Sequence, residues 1–133
     1  MKGTDLRDGA GPLGEMTADH LMENDVVYFH RETKCDLLLL SMANGSLESL
    51  PIVDEEKRLI GVVTRQDLLD ALLVGRELRS LEAGRIMSSI RFVSADCLAV
   101  KIGPVFQETG LSQIPVVDRE RRLVGIIRER EFR

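Results

Sequence analysis

Thr64 and Asp67 are the residues of this chain best suited to hold a ligand. They close the stretch Gly61-Val62-Val63-Thr64-Arg65-Gln66-Asp67, in which an apolar, β-branched run passes directly into a helical pattern. A helix opening at Thr64 turns its unpaired N–H groups and the positive end of its dipole outward, an arrangement that suits an anion. The Thr64 hydroxyl can bond a phosphate or ribose oxygen. Asp67, one turn on, can accept from both hydroxyls of a ribose, as an acidic residue does in dinucleotide folds. Charge-assisted hydrogen bonds of this kind contribute about 1.5–3 kcal/mol each. Thr-x-x-Asp is also a capping box, in which the two side chains satisfy N–H groups of their own helix. Both readings stand at this point.

Other chemistry is thin. His20 and His30 lie in different elements with no Cys or carboxylate ligand set beside them, so no metal site is expected. Cys35 starts an apolar helical stretch and reads as core. Cys97 sits at a helix N-terminus, a place where a thiol pKa can fall. No nucleophile has a neighbouring base, so the chain reads as a binding protein and not an enzyme.

The elements that hold Thr64 and Asp67 are repeated. Leu50-Pro51-Ile52-Val53-Asp54, a polar turn and Leu59-Ile60-Gly61-Val62-Val63 return as Ile114-Pro115-Val116-Val117-Asp118, a turn and Leu123-Val124-Gly125-Ile126-Ile127, each position displaced by 64. Such a period means two copies of one supersecondary unit. In each copy a short strand precedes a helix, then a hairpin, then a second helix. In the first copy these are Val26 to Phe29, read as a buried strand, Thr33 to Asn44, the strands Ser49–Val53 and Leu59–Val63, and a helix from Thr64. Asn44-Gly45-Ser46 ends the first helix. Pro51 requires the start of a strand or an edge, where no ladder N–H is needed. In the second copy the strand is Ile90 to Val93, and the helix begins near Asp96 or Cys97. Pro104 inside that helix costs ~3 kcal/mol, so the helix is expected to kink or start late.

The resulting division is an N-terminal arm over 1–15, repeat 1 over 16–74, a linker over 75–84 and repeat 2 over 85–133. The arm is expected to be mobile because it is rich in Gly. A short helix from Met16, capped by Thr17, follows it.

Composition narrows the partners. The chain has 133 residues, enough for a shared aliphatic core, and 18 basic against 22 acidic side chains, a net charge of −4. Mixed signs, as in the tail from Arg119 to Arg133, argue against a nucleic-acid surface. Two cysteines without pattern suggest reduced thiols and a cytoplasmic setting. No apolar run is long enough to cross a bilayer, so no direct membrane contact is expected.

Duplicated and in this order, these features resemble the CBS domain, the module first recognised in cystathionine β-synthase. The resemblance rests on Leu21-Met22 and Ile86-Met87 before each first strand, Glu32-Thr33 and Asp96-Cys97 before each first helix, and the two Pro-apolar-Val-Asp…Leu-apolar-Gly hairpins. Two in tandem resemble a CBS pair, or Bateman module. That implies an α/β (α+β) fold: two β-α-β-β-α repeats related by a pseudo-twofold axis, the second truncated at its last helix. It also implies clefts between the repeats that bind AMP, ADP, ATP or S-adenosylmethionine. Thr64 and Asp67 would contact phosphate or ribose, and Val26, Val27, Tyr28 and Pro51 to Val53 (with Ile52) would flank the adenine.

Three departures qualify this. Arg128 and Glu131 replace Thr64 and Asp67 in the second copy and can pair across one turn, so one usable site is expected, with Arg128 as a phosphate clamp the alternative. Glu48-Ser49 and Ser112-Gln113 stand where nucleotide-binding members often carry basic residues. A carboxylate beside a phosphate costs about 1 kcal/mol in water and ~4 at an effective dielectric of about 20, which favours AMP, adenosine or S-adenosylmethionine over ATP. Pro104 and the short end make the second half unlike the first. The expected function is a non-enzymatic regulatory module that relays ligand occupancy to a partner protein and forms a homodimer through exposed helical leucines. The alternative is a ligand-free structural pair that mediates dimerisation or protein interaction alone.

Overall fold

A computed structural model describes residues 12–45 and 47–132. It divides into two compact units, 27–90 (the first unit) and 1–26 with 91–133 (the second). The expected arm falls largely on 1–11, outside the described residues. Its end is helical: α1 spans Pro12–Glu15 and α2, after Thr17, spans Ala18–Leu21.

In the first unit the order is β1 (Phe29–His30), α3 (Cys35–Gly45), β2 (Ser49–Val53), β3 (Leu59–Thr64) and α4 (Arg65–Leu73). The sheet order is β1-β2-β3, with β1 parallel to β2 and β2 antiparallel to β3. Helix α3 buries Cys35, Leu38 and Met42, a 3–4 spacing that puts all three on one face. They meet Leu50, Ile52, Val63, Leu68 and Ala71. The stretch read as a linker contributes Leu78, Leu81 and Ala83 to the same core.

The second unit repeats this with β4 (Val93–Ser94), α5 (Ile102–Thr109), β5 (Gln113–Val117) and β6 (Leu123–Arg128), followed by a single 3-10 turn over Glu129–Phe132. Its core joins Val93, Ile102, Phe106, Ile114, Val116 and Ile127 to Ala18 of the N-terminal segment. Sequence repeat and compact unit therefore differ: each unit takes the lead-in segment of the other repeat. Ala18 N bonds Cys97 O at 2.8 Å and Ala99 N bonds Met16 O at 2.8 Å; in the first unit Ala83 N bonds Thr33 O at 2.8 Å and Cys35 N bonds Leu81 O at 2.8 Å.

Helix α5 starts late, as Pro104 requires. A 3-10 turn covers Ala99–Lys101, and Pro104 is the third residue of the α-helix, where its missing N–H would have had no intrahelical partner. Two expectations need correction. The first strands are shorter than read, Phe29–His30 and Val93–Ser94, and the Val26–Phe29 stretch is not buried: Val27 is 49% exposed. These strands pair on one side only and for two residues, so β-branched composition does not extend them. Pro51 lies inside the central strand and not at its start or on an edge. Val62, its cross-strand neighbour, directs both backbone groups to Ser88, at 2.9 Å each. The Pro51 nitrogen therefore faces the β1 flank, where β1 begins only at Phe29, opposite Ile52. No ladder bond is lost.

The hairpin turns match residue for residue. Asp54 Oδ1 accepts from Glu56 N (2.9 Å) and Arg58 N (2.8 Å), and Oδ2 accepts from Arg58 Nε (2.8 Å). Asp118 makes the same three bonds to Glu120 and Arg122, each at 2.9 Å. Burial pushes the Asp54 carboxyl up, but the hydrogen bonds from Arg58 and Glu56 and the Arg58 charge outweigh it and hold the pKa below the ordinary value; Asp118 follows the same pattern with Arg122. A depressed folded-state pKa contributes stability above the unfolded value of about 3.9, and that stability is lost as pH falls through the folded one. Thermal melts should therefore show Asp54→Asn destabilising near about pH 6 and much less so near about pH 3. Asp118→Asn should show the smaller effect, because its side chain is 26% exposed against 8% for Asp54.

Candidate functional site

Helix α4 opens directly from β3, and Thr64 is its N-cap. Asp67 N donates to Thr64 Oγ1 at 3.1 Å, and Thr64 N donates to Asp67 Oδ2 at 2.8 Å. The capping box is real. It engages one oxygen of each side chain and leaves Asp67 Oδ1 and the Thr64 hydroxyl hydrogen without a partner among the described residues. Both side chains are half-buried. Capping and ligand contact are thus compatible at this mouth.

Ser49 is the cross-strand partner of Thr64, and Ser88 pairs by backbone with Val62, two residues before Thr64 on the outer edge of β3. Two small hydroxyl residues thus lie on the segments that flank the end of β3 leading into α4. Ser88 escaped the sequence reading because it lies in the stretch taken for the start of the second repeat. The signal available was the alignment of Leu21-Met22-Glu23 with Ile86-Met87-Ser88.

The remaining expected contacts scatter. Val26 and Tyr28 are half-buried and Val27 is exposed. The Tyr28 ring turns toward the hairpin, with its centroid 5.2 Å from Lys57 Nζ and 6.1 Å from the His30 ring. Ile52 and Val53 are wholly buried and Pro51 is buried, so the strand has little side-chain surface to offer a base beyond its backbone.

In the second unit Arg128 does not stand alone. Its Nε donates to Glu23 Oε2 at 3.0 Å and one terminal nitrogen donates to Gln113 Oε1 at 3.2 Å. The expected pairing with Glu131 lies outside the described residues, since nothing is described of that side chain. Glu23 is held there by two backbone bonds to Ile126, at 2.8 and 3.0 Å.

The lowered pKa that a helix N-terminus can give a thiol is not found at Cys97: burial raises its pKa, as it does for the fully buried Cys35, and the helix proper starts five residues later, too far for its dipole to act. Among the described residues, no three His, Cys, Asp or Glu side chains cluster as a metal site. Among them, too, no helix is long and apolar enough to cross a membrane.

A family model described as CBS domain matches residues 18–74 and 83–133. A homoserine O-acetyltransferase from Methanosalsum zhilinae is 25% identical over 118 residues, 88% of this chain and 23% of that protein. The chain spans 23% of the length of that relative and from 12% to 36% of the length of others that it matches. Among solved structures, Hypoxic Response Protein I with two coordinated zinc ions is 25% identical with a TM-score of 0.78, covering 88% of this chain and 96% of that one. The cytosolic domain of the Mg2+ channel MgtE in complex with ATP is 25% identical with a TM-score of 0.76, covering 89% and 48%.

Proposed function

This chain belongs to the CBS domain family, and from that premise we propose that it is a non-enzymatic regulatory module whose first unit binds an adenosine-type ligand beside Thr64 and Asp67. The observation that carries the reading is the unspent polar atoms at the mouth of α4: Asp67 Oδ1 to accept from a ribose and the Thr64 hydroxyl to donate. The ATP held by the MgtE cytosolic domain supports a ligand of this class. Glu48, next to Ser49, opposes added phosphates, so AMP, adenosine or S-adenosylmethionine is preferred over ATP.

Occupancy acts by stabilising one arrangement of the protein over another, and a cytoplasmic partner protein reads the difference. Thermal-shift and calorimetric titrations with AMP, adenosine, S-adenosylmethionine and ATP test this. At about 100 Kd of a true ligand, stability rises by about 2.7 kcal/mol. No shift with any of the four would defeat the reading.

A homodimer accompanies it. Leu37 and Leu40 of α3 are 51% and 57% exposed, and Leu69, Leu72 and Leu73 of α4 are 47%, 47% and 75% exposed. Apolar faces of this kind mark an interaction surface. Sedimentation should show the dimer converting to monomer on Leu72→Glu with circular dichroism unchanged. A wild type that is already monomeric would refute it. Exposed leucines together with a self-satisfied capping box also suit the second reading, a structural pair without ligand.

A further inference from the structure

We propose that the second unit holds a phosphate-binding position at Arg128 that the chain fills with its own Glu23 carboxylate. The inference deepens the reading of Thr64 and Asp67, because it concerns the counterpart of that mouth.

The equivalence is set by register. Ser49 lies opposite Thr64, and Gln113 lies opposite Arg128. Ser88 bridges Val62 on the outer edge of β3, and Glu23 bridges Ile126 on the outer edge of β6. Three short hydroxyl residues, Ser49, Thr64 and Ser88, thus correspond to three long ones, Gln113, Arg128 and Glu23. The long set is joined: Glu23 to Arg128 at 3.0 Å and Gln113 to Arg128 at 3.2 Å. A guanidinium matches carboxylate and phosphate with the same planar donors, so a carboxylate seated on it occupies the place an anion would take.

The pair is not sealed in. The Arg128 side chain is 27% exposed and that of Glu23 is 39% exposed. Glu23 is also fixed by its main chain and not by its charge, since its backbone N–H and carbonyl both bond Ile126. Removing the carboxylate therefore leaves the segment in place and the Arg128 cation open to solvent. Thr17 to Met22 and the buried Ala18 anchor the same segment independently. As built, the second unit rejects a phosphate by a like charge; with Glu23 neutralised, it accepts one. This makes Glu23 the residue that keeps ligand binding to a single site per chain.

The experiment is calorimetric titration of the full chain with AMP, with adenosine as the phosphate-free control. Wild type takes about one AMP per chain and Glu23→Ser about two, the added one absent with adenosine because its anchor is the phosphate. Glu23→Gln keeps the side-chain volume and should give the same gain, which guards against a folding failure of the serine variant. The gained site should vanish in Glu23→Ser/Arg128→Gln, which removes the cation without introducing the hydroxyl of the first unit, and persist in Glu23→Ser/Asp67→Ala. Should both Glu23 variants bind no more AMP than wild type, the inference is overturned while the Thr64–Asp67 reading survives. Should wild type bind none and the Glu23 variants bind one, insensitive to Asp67→Ala, the inference holds and that reading falls.

Discussion

Gly61→Ala is expected to destabilise the protein by about 2–3 kcal/mol, and Gly61→Val by more, a large share of the 5–15 kcal/mol that a domain has to lose. The cause is a close approach and not a turn. A Cβ on Gly61 would stand 2.9 Å from the Ser88 carbonyl oxygen and 2.9 Å from Met87 Sδ. The sulfur can move; the carbonyl cannot, because it accepts from Val62 N in the bridge that closes the edge of β3. Gly125 repeats the arrangement with Met22, whose own Cβ would lie 2.8 Å away. Gly103 provides the contrast. It sits in α5 with nothing beyond its chain neighbours within 4 Å of a Cβ, but the Pro104 ring disfavours a Cβ on the helical residue before it. Helix propensity and this local crowding oppose each other, so Gly103→Ala should change stability by less than about 1 kcal/mol. Denaturant melts of the three alanine variants test this together. Equal effects at Gly61 and Gly103 would show that the bridge does not constrain the strand edge.

The second large effect is on binding. Asp67→Asn should lower affinity for the adenosine-type ligand by about tenfold to 100-fold, since it removes the charge from bonds contributing about 1.5–3 kcal/mol each. The asparagine can still accept from Thr64 N, so fold stability should change little. Thr64→Ala removes the acceptor for Asp67 N and should cost about 1 kcal/mol of stability as well as affinity. The two variants thus separate the two roles of the capping box. Unchanged affinity in Asp67→Asn, with the loss of stability in Thr64→Ala retained, would mean that the pair caps α4 and does nothing else. The molecule would then be the ligand-free pair.

Each legible feature depends on residues close together in the chain. The duplicated hairpin was readable because Pro51 to Val63 and Pro115 to Ile127 carry the same strand-turn-strand pattern at one offset. The Thr64–Asp67 cap was readable because its partners are three residues apart. The late start of α5 followed from Pro104, whose ring acts within its own turn. What sequence alone could not determine involves partners far apart. Leu78, Leu81 and Ala83 look like linker until they are seen in a core with Leu38 and Ile52. Strand rules bar Pro51 from a central strand, but β1 starts one residue too late to need its N–H.

The same limit governs the site. Local pattern determined that the first repeat carries a ligand-competent Thr and Asp and that the second carries Arg128 and Glu131 instead. Only the tertiary structure decided what Arg128 bonds. Glu23 lies 105 residues away in sequence and reaches it through a backbone bridge to Ile126 that no periodicity encodes. Local spacing records hydrogen bonds within a turn or hairpin, whereas an ion pair across a strand edge exists only once the edge has been built.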